Sequence, residues 1–333
     1  MRGPLARAML PLAAVFGALA ALRRGLYRVG PLPTHALPVP VVVVGNLITG
    51  GAGKTPTVIA VVGLLRRHGY MPGIVSRGHG GSHAGALEVT RDMSATRTGD
   101  EPLLMHLRTA APLVVGRDRV AAARELLGRH PQVDVIVSDD GLQHLALART
   151  AQVIVFDERG GGNGWLLPAG PLREKLPNAL PPRSLIVYNA AAPSTPLPGT
   201  LAQRRLAGVV PLRDWWVGKA ASRDALDALR GRPLVAAAGL AHPERFFAML
   251  REAGLRFDPL PLPDHHDYAA LPWPPGTADV VLTEKDAIKL DPDRSGATRI
   301  WVAPLDFELD AAFESALLAL LPPPGPRHGN SPA

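Results

Sequence analysis

The segment VPVVVVGNLITGGAGKTPT, residues 39–57, carries the clearest information about the fold. Its valine run predicts a buried β-strand over 39–46, because strands of a parallel sheet are covered on both faces and are apolar throughout. Its second part, TGGAGKTPT at 49–57, is a glycine loop leading into a helix over 55–68. Pro56 suits the first turn of that helix, where a missing N–H costs little. A strand, a glycine loop and a helix in this order are typical of a phosphate-binding loop.

This loop has the groups that bind a nucleotide. Backbone N–H groups at the helix start surround a polyphosphate, Lys54 reaches the β- and γ-phosphates, and Thr55 ligates Mg²⁺. The match to G-x-x-x-x-G-K-[ST] is imperfect, since Ile48 stands at the first glycine position. A chance glycine turn at a helix start is the alternative. The predicted ATP-binding residues are Thr49, Gly50, Gly51, Ala52, Gly53, Lys54, Thr55 and Pro56.

Beyond the loop, short β-branched runs alternate with helical patterns, which predicts a parallel sheet covered by helices. After a Pro-rich linker at 190–200, the same alternation continues in a second, smaller unit. The fold class is therefore α/β: a P-loop NTPase-like parallel sheet core, a smaller α/β C-terminal lobe and an N-terminal membrane-associated helix. The predicted ranges are 1–30 for the anchor helix, 31–190 for the core, 191–321 for the lobe and 322–333 for a disordered tail. Further strands are predicted at 72–76, 112–115, 133–137, 151–156, 183–188, 233–238, 279–283 and 299–303, and helices at 101–109, 118–129, 243–253 and 310–321.

A second motif, VDVIVSDDGLQH at 133–144, is an apolar strand that ends in two carboxylates. In phosphate-loop proteins an acid at the end of a neighbouring strand holds Mg²⁺ directly or through water. Asp139 and Asp140 would repel one another without a cation, which favours a place beside the metal. A plain Asp-Asp-Gly turn is the alternative, and which aspartate contacts the metal stays open.

Other polar clusters follow predicted strands or precede helices. Arg77 in SRGHGG, and Asp100 and Glu101 in GDEP, are expected at the carboxyl edge of the sheet, where open α/β sheets bind ligands. PDHHDY at 263–268 is open to three interpretations: acid/base or hydrogen-bonding use, a metal site, or a solvated loop. TEKDAIK at 283–289 bears a weak likeness to the base-reading N/T-K-x-D pattern of GTPases.

The N-terminus has an uncharged stretch from Ala8 to Leu22 between arginines. Fifteen helical residues cover about 22 Å, short of the roughly 30 Å hydrocarbon core of a bilayer. We favour an uncleaved monotopic anchor whose flanking arginines, Arg23 and Arg24 among them, meet anionic lipid. A cleaved signal peptide and a core helix are the alternatives.

Composition excludes several classes of protein. The chain has no cysteine, so disulfide scaffolds and thiolate chemistry are excluded, and charged residues are 20%, too few for a disordered chain. The net charge of +7 favours an anionic membrane surface over nucleic acid, because no basic run is interleaved with aromatic residues. Only five of the 36 basic residues are lysines, so a retained lysine indicates a need for a compact ammonium.

Taken together and in this order, the motifs GNLITGGAGKTPT, SRGHGG, GDEP, DDGLQH, PAGPLRE, DHH and TEKDAIK resemble the tetraacyldisaccharide 4′-kinase family, the lipid A 4′-kinases. The likeness covers residues 1–305, and it includes the non-glycine residue at position 48. It implies transfer of the ATP γ-phosphate to the 4′-hydroxyl of tetraacyldisaccharide 1-phosphate, with ATP and Mg²⁺ as cofactors. It also implies a protein at the cytoplasmic face of the inner membrane, which we expect to be peripheral or monotopic. We expect a monomer with no nucleic-acid partner, although the sequence does not determine the oligomeric state.

The resemblance also implies roles for individual residues. Lys54 and Thr55 match the phosphate-loop pair, and Asp139 and Asp140 match acids on the Mg²⁺ side. The metal ligands are thus expected among Thr55, Asp139 and Asp140. The expected catalytic residues are Lys54, Asp100 and His265, the last two as an acid–histidine pair near the acceptor hydroxyl. His266 is the residue most easily confused with His265. Four arginines in matching segments are candidates for binding phosphate, without assigned individual roles: Arg77, Arg117, Arg119 and Arg173.

Two other classes of function stay open from sequence. A P-loop switch or chaperone-type NTPase of the GGxGKT kind would use nucleotide hydrolysis to change partners, although Thr49 stands where such proteins carry a lysine. A membrane-associated binding module would leave Lys54 and the Asp139–Asp140 pair without a purpose.

Overall fold

The computed structural model of the chain describes residues 3–264 and 266–325. Most of the predicted disordered tail lies outside these residues. The helices are α1 Pro4–Ala8, α2 Leu10–Val29, α3 Lys54–Arg67, α4 Ala95–Thr98, α5 Asp100–Thr109, α6 Arg119–Arg129, α7 Leu212–Trp216, α8 Arg223–Asp227, α9 Pro243–Glu252, α10 Glu284–Ala287 and α11 Ala311–Ala319, with a 3₁₀ turn at Pro292–Arg294. The strands are β1 Val41–Gly45, β2 Pro72–Ser76, β3 Leu87–Glu88, β4 Leu113–Val115, β5 Val135–Asp139, β6 Ala151–Asp157, β7 Ser184–Asn189, β8 Thr200–Leu201, β9 Gln203–Leu206, β10 Val210–Pro211, β11 Val235–Ala238, β12 Asp258–Pro261, β13 Asp279–Leu282, β14 Arg299–Val302 and β15 Leu305–Glu308.

A large sheet forms the centre of the described residues. Its strand order is β3-β4-β2-β5-β1-β6-β7-β8, and its pairs are parallel except that between β3 and β4. The strands β2, β5 and β1 are neighbours, so their carboxyl ends lie side by side. The predicted α/β fold class is confirmed.

The valine run explains how this sheet is buried on both faces. Successive side chains of a strand point to opposite faces. Val42 and Val44 join the core on the α3 side, and Val41 and Val43 join the core on the α6 side. Each of the four is at most 2% exposed, so β1 lies at the centre of the fold and holds the glycine loop on a rigid strand end.

A smaller sheet, in the order β10-β14-β13-β11-β12, follows along the chain, and β9 and β15 pair as an antiparallel ribbon. In this ribbon, β9 directly follows β8 of the large sheet, and β15 directly precedes α11. α11 then packs against β7, and the Tyr70 hydroxyl donates a hydrogen bond to the Pro322 carbonyl at 2.6 Å. The division at residue 190 stays a prediction; strand β8, beyond it, still pairs with the large sheet.

The predicted strands and helices agree with the observed ones to within two residues at each end. No sequence pattern indicated β9, β12 or β15. β12 has the sequence DPLP, and proline is confined to edge strands because it cannot donate to the ladder. β9 is QRRL, a polar sequence whose pairing depends on a strand about 100 residues away.

Helix α2 spans 20 residues, about 30 Å, and is longer than the uncharged stretch from which it was predicted. Within the described part of the chain it is the helix that is long and apolar enough to cross a membrane. Ala13 is its buried residue, so the core-helix alternative is wrong. Gly17 lies against Leu166, where an added Cβ would come within 2.7 Å of the leucine side chain.

Candidate active site

The glycine loop follows β1 as expected and is held by side chains from three other segments. Gly53 has φ +93°, and an added Cβ would clash with the side-chain amide of Asn189. That amide donates to the Ala52 carbonyl at 3.0 Å. Asn46 donates to the Gly50 carbonyl at 3.1 Å. Glycine is therefore required at position 53 by both backbone conformation and space.

Arg159, just beyond the end of β6, supports the same loop. Its guanidinium donates to the carbonyls of Thr49 and Gly51 at 3.3 and 3.2 Å, and it pairs at 2.7 Å with the buried carboxylate of Asp157. The sequence patterns gave no individual role to Arg159, Asn189 or Asn46. The contacts of Arg159 and Asn189 depend on the strand order β1-β6-β7, whereas Asn46 directly follows β1 within the motif GNLITGGAGKTPT.

Lys54 begins α3, and its ammonium faces the neighbouring strand end. Its Nζ donates to Asn46 Oδ1 at 3.3 Å and lies 3.7 Å from Asp140 Oδ1. Thr55 is 3% exposed. The predicted loop lysine and the predicted acidic motif thus meet at the carboxyl edge of the sheet.

The two aspartates of DDGLQH have different surroundings. Asp139 is buried, accepts a hydrogen bond from the Ser76 hydroxyl at 2.8 Å, and its Oδ1 has no partner among the described residues. Burial, with the charge of Glu101, raises the pKa of Asp139 to about 6. Asp140 adopts a left-handed backbone with φ +46°, and its carboxylate pairs with Arg173 at 2.9 Å.

Glu101 lies beside this cluster, at the start of α5. Its Oε1 is 2.6 Å from Lys285 Nζ. Burial by itself would raise the pKa of Glu101, but the Lys285 ammonium, with contributions from Lys54 and the Thr55 hydroxyl, lowers it to about 2. The sequence placed Glu101 at the sheet edge without a role, and the structure makes it the link between the glycine loop and TEKDAIK.

The acid–histidine pair is described only in part. Asp100 precedes Glu101 on α5, and its carboxylate is 3.9 Å from Lys289 Nζ. His265 lies outside the described residues. His266 packs edge-on against Tyr268 of the same motif, with 4.8 Å between ring centroids, and its Nε2 has no partner within the described chain.

The remaining motif residues have local roles. Asp286 of TEKDAIK is wholly buried and accepts hydrogen bonds from the Gly239 N–H and the Thr283 hydroxyl, so it is not available to read a base. Arg119 is buried and donates to the Arg117 and Asp140 carbonyls at 3.0 and 3.3 Å, which supports the aspartate turn. The side chains of Arg77 and Arg117 are exposed.

Two cavities flank the pair formed by Asp100 and Glu101. The first, about 870 Å³, is within the size range of ligand sites and lies between the glycine loop and the smaller sheet; its lining includes Lys54, Thr55, Glu101, Leu240, Phe246 and Lys285. The second, about 850 Å³, includes His79, Asp100, Trp216, Ile288 and Lys289 in its lining.

The donor set fits a magnesium ion that is shared with a nucleotide. Asp139 offers a buried carboxylate oxygen without a described partner, and Asp140 and Thr55 add oxygen atoms of the kind Mg²⁺ prefers. Among residues 3–264 and 266–325, no group of three His, Cys, Asp or Glu side chains could hold a metal ion. One or two carboxylates with water and phosphate oxygens are the usual ligands of Mg²⁺ at phosphate-transfer sites.

Comparisons with known proteins agree with this geometry. The sequence model of the family "Tetraacyldisaccharide-1-P 4′-kinase" matches residues 5–322. A tetraacyldisaccharide 4′-kinase of Methylibium petroleiphilum is 56% identical over 98% of this chain and 92% of its own length, and one of Leptothrix cholodnii is 54% identical over 96% and 93%. The crystal structure of LpxK from Aquifex aeolicus in complex with ATP superposes with a TM-score of 0.78 at 26% identity, covering 96% of this chain and 100% of that one.

Proposed function

This chain belongs to the tetraacyldisaccharide-1-P 4′-kinase family, and we therefore propose that it transfers the γ-phosphate of ATP to the 4′-hydroxyl of tetraacyldisaccharide 1-phosphate in lipid A biosynthesis. It is an ATP-dependent kinase that acts on a hydroxyl group. The single observation that supports this function in the structure is the meeting of Lys54, Thr55, Asp139 and Asp140 at one sheet edge.

Phosphoryl transfer requires mainly positioning and charge neutralisation. The glycine loop and α3 would hold the phosphates with backbone N–H groups, and the Lys54 ammonium would exchange Asp140 for a phosphate oxygen. Thr55, Asp139 and Asp140 would hold Mg²⁺, which when bound supplies positive charge to the β- and γ-phosphates. Asp100, with His265, would accept the proton of the acceptor hydroxyl, whose own pKa lies far above 7.

The N-terminal helix supports a place at the membrane. Leu12, Val15, Leu19 and Leu22 form a stripe that is 57–61% exposed, while Arg24 pairs with Glu174 at 3.2 Å and holds the helix against the rest of the protein. We infer that the protein acts as a monomer bound to the cytoplasmic face of the inner membrane, where ATP and an acyl-chain substrate meet.

The test is incubation with γ-labelled ATP and tetraacyldisaccharide 1-phosphate in detergent micelles, followed by separation of the lipids. We expect label in a bisphosphorylated lipid. Lys54→Ala should lower kcat/KM by at least about 10²-fold, a loss of about 2.7 kcal/mol of transition-state stabilisation. Label released as inorganic phosphate, with or without lipid, would instead indicate a switch-type NTPase, and near-normal activity of folded Lys54→Ala would exclude the loop from catalysis.

A further inference from the structure

Lys285 is one of the few lysines of a chain that otherwise uses arginine. It lies in TEKDAIK, a motif whose residues have no role in the reaction proposed above. Its side chain belongs to the lining of the cavity that also contains Lys54 and Thr55. A cation from the smaller-sheet region therefore faces the space in front of the glycine loop.

Each of the two lysines in the cavity lining has its ammonium beside a carboxylate. Lys54 rests 3.7 Å from the Asp140 carboxylate, and Lys285 rests 2.6 Å from the Glu101 carboxylate. The lysine of a phosphate-binding loop contacts phosphate when nucleotide is present, so its carboxylate contact is one that it can give up. Lys285 and Glu101 are each about one-third exposed and both line the cavity, so a ligand in the cavity can reach the Lys285 ammonium.

The surroundings of Lys285 keep it aimed at the cavity. The Asp286 carboxylate is buried and accepts hydrogen bonds from the Gly239 N–H and the Thr283 hydroxyl. The Glu284 carboxylate accepts hydrogen bonds from Arg108 and from the Trp215 indole N–H. Both neighbours are thus fixed within the protein. Lys289, one turn further on, faces Asp100 in the second cavity and does not line the first.

We propose that Lys285 is a second phosphate-binding lysine: when ATP binds, its ammonium moves from the Glu101 carboxylate to the γ-phosphate, in the same cavity as Lys54. The proposal rests on the proposed kinase function and adds a catalytic residue to it. A compact ammonium suits this role because negative charge spreads over the γ-phosphoryl oxygens in the transition state.

The test compares ATP with ADP, which lacks the γ-phosphate, in calorimetric titrations without lipid acceptor. In Lys285→Met the Kd for ATP should rise at least tenfold while the Kd for ADP stays within twofold. The kcat for lipid phosphorylation should fall at least tenfold, and Lys285→Arg should restore part of the ATP preference. Lys219→Met, which removes an exposed lysine paired with Asp214, is the matched control and should change none of these values.

Equal loss of ATP and ADP affinity in Lys285→Met would overturn the proposal and make Lys285 a structural ion-pair partner of Glu101. Unchanged ATP affinity and unchanged kcat would overturn it as well. If Lys285→Met does not fold, Lys285→Gln replaces it, because glutamine keeps a hydrogen-bond donor for Glu101. The same changes in the Kd for ATP, the Kd for ADP and kcat are expected for Lys285→Gln. The two proposals can fail separately. If the wild-type protein does not label lipid but Lys285→Met still loses the preference for ATP over ADP, the kinase function is refuted and the γ-phosphate contact is supported.

Discussion

Asp139 and Asp140 are adjacent in sequence, yet their carboxylates have separate partners. Asp139 ends β5 inside the sheet, where Ser76 of β2 donates to it. Asp140 turns away because its backbone is left-handed, a conformation that aspartate tolerates better than most residues. One carboxylate thereby keeps a buried oxygen without a partner in the described chain, and the other stands before Lys54 and Arg173.

The acid–histidine pair leads to a prediction about non-additive effects. Asp100→Ala and His265→Ala should each lower kcat by roughly 10²-fold with little change in ATP affinity, because general acid–base groups contribute about that much. If the two residues act on one proton, the double variant should be scarcely slower than the worse single variant. Steady-state kinetics of the four proteins measures this.

His266→Ala is the comparison variant, since His266 packs against Tyr268 and should have the milder effect. Multiplying losses in the double variant, or a larger loss from His266 than from His265, would mean that the wrong residues are paired.

Among the secondary-structure elements, α2 combines an exposed apolar stripe with a polar contact to the active-site region. Replacing Leu12, Val15, Leu19 and Leu22 by Gln should lower membrane binding more than tenfold, because each buried aliphatic side chain is worth about 1.5–3 kcal/mol. Arg23 and Arg24 are kept, since deletion of residues 1–24 would also remove their contacts with the Gln143 carbonyl and Glu174. Co-sedimentation with anionic vesicles is the measurement.

The control replaces Leu201 and Val217, which are exposed outside α2, by Gln and should leave vesicle binding unchanged. Full sedimentation of the quadruple variant would place the membrane anchor elsewhere, and recovery of a mature chain that starts near Ala21 would favour the signal-peptide alternative.

Strand β13 begins at Asp279, a buried acid that is bonded by Arg299 at 2.6 and 2.8 Å and by the Trp301 indole. Burial would raise the pKa of Asp279, but these hydrogen bonds and the charges of Arg299 and Arg232 lower it below its usual value. Its stabilisation is therefore present above the unfolded-state pKa, near 3.9, and is lost as pH falls through the lower folded-state pKa.

Asp279→Asn should thus reduce the free energy of unfolding by about 2 kcal/mol at pH 7, and the difference from wild type should shrink below about pH 4. Urea unfolding at pH 7 and pH 3 tests this. A difference that is equal at both pH values would show that the charge of Asp279 does not matter.

In the molecule as a whole, the first cavity is lined by both the glycine-loop region and the smaller-sheet region. ATP at about 100 times its Kd should stabilise the folded protein by about 2.7 kcal/mol, since it binds the native state alone. Amide hydrogen exchange should slow in α3, in 283–289 and in the β9–β15 ribbon together. The Lys54→Ala protein should show much less protection, and protection confined to α3 in wild type would mean that the smaller sheet does not take part in binding.

The parallel sheet, the glycine loop and the acidic strand end could all be predicted from the amino-acid sequence. These features are local, because a valine run, a glycine turn and a helix start each have a short-range pattern that sterics and hydrogen bonding dictate. The order of the motifs along the chain was sufficient to indicate the family.

The side chains that support and complete the site could be identified only from the three-dimensional fold. Arg159, Asn189 and Lys285 act on the glycine loop or face it from segments more than 100 residues beyond it. Their contacts depend on strand order in the sheet and on the return of the chain through the β9–β15 ribbon, neither of which has a local sequence pattern. The orientation of Asp139 and Asp140 had the same origin, since burial between β2 and β1 directs one carboxylate inward and leaves the other facing Lys54.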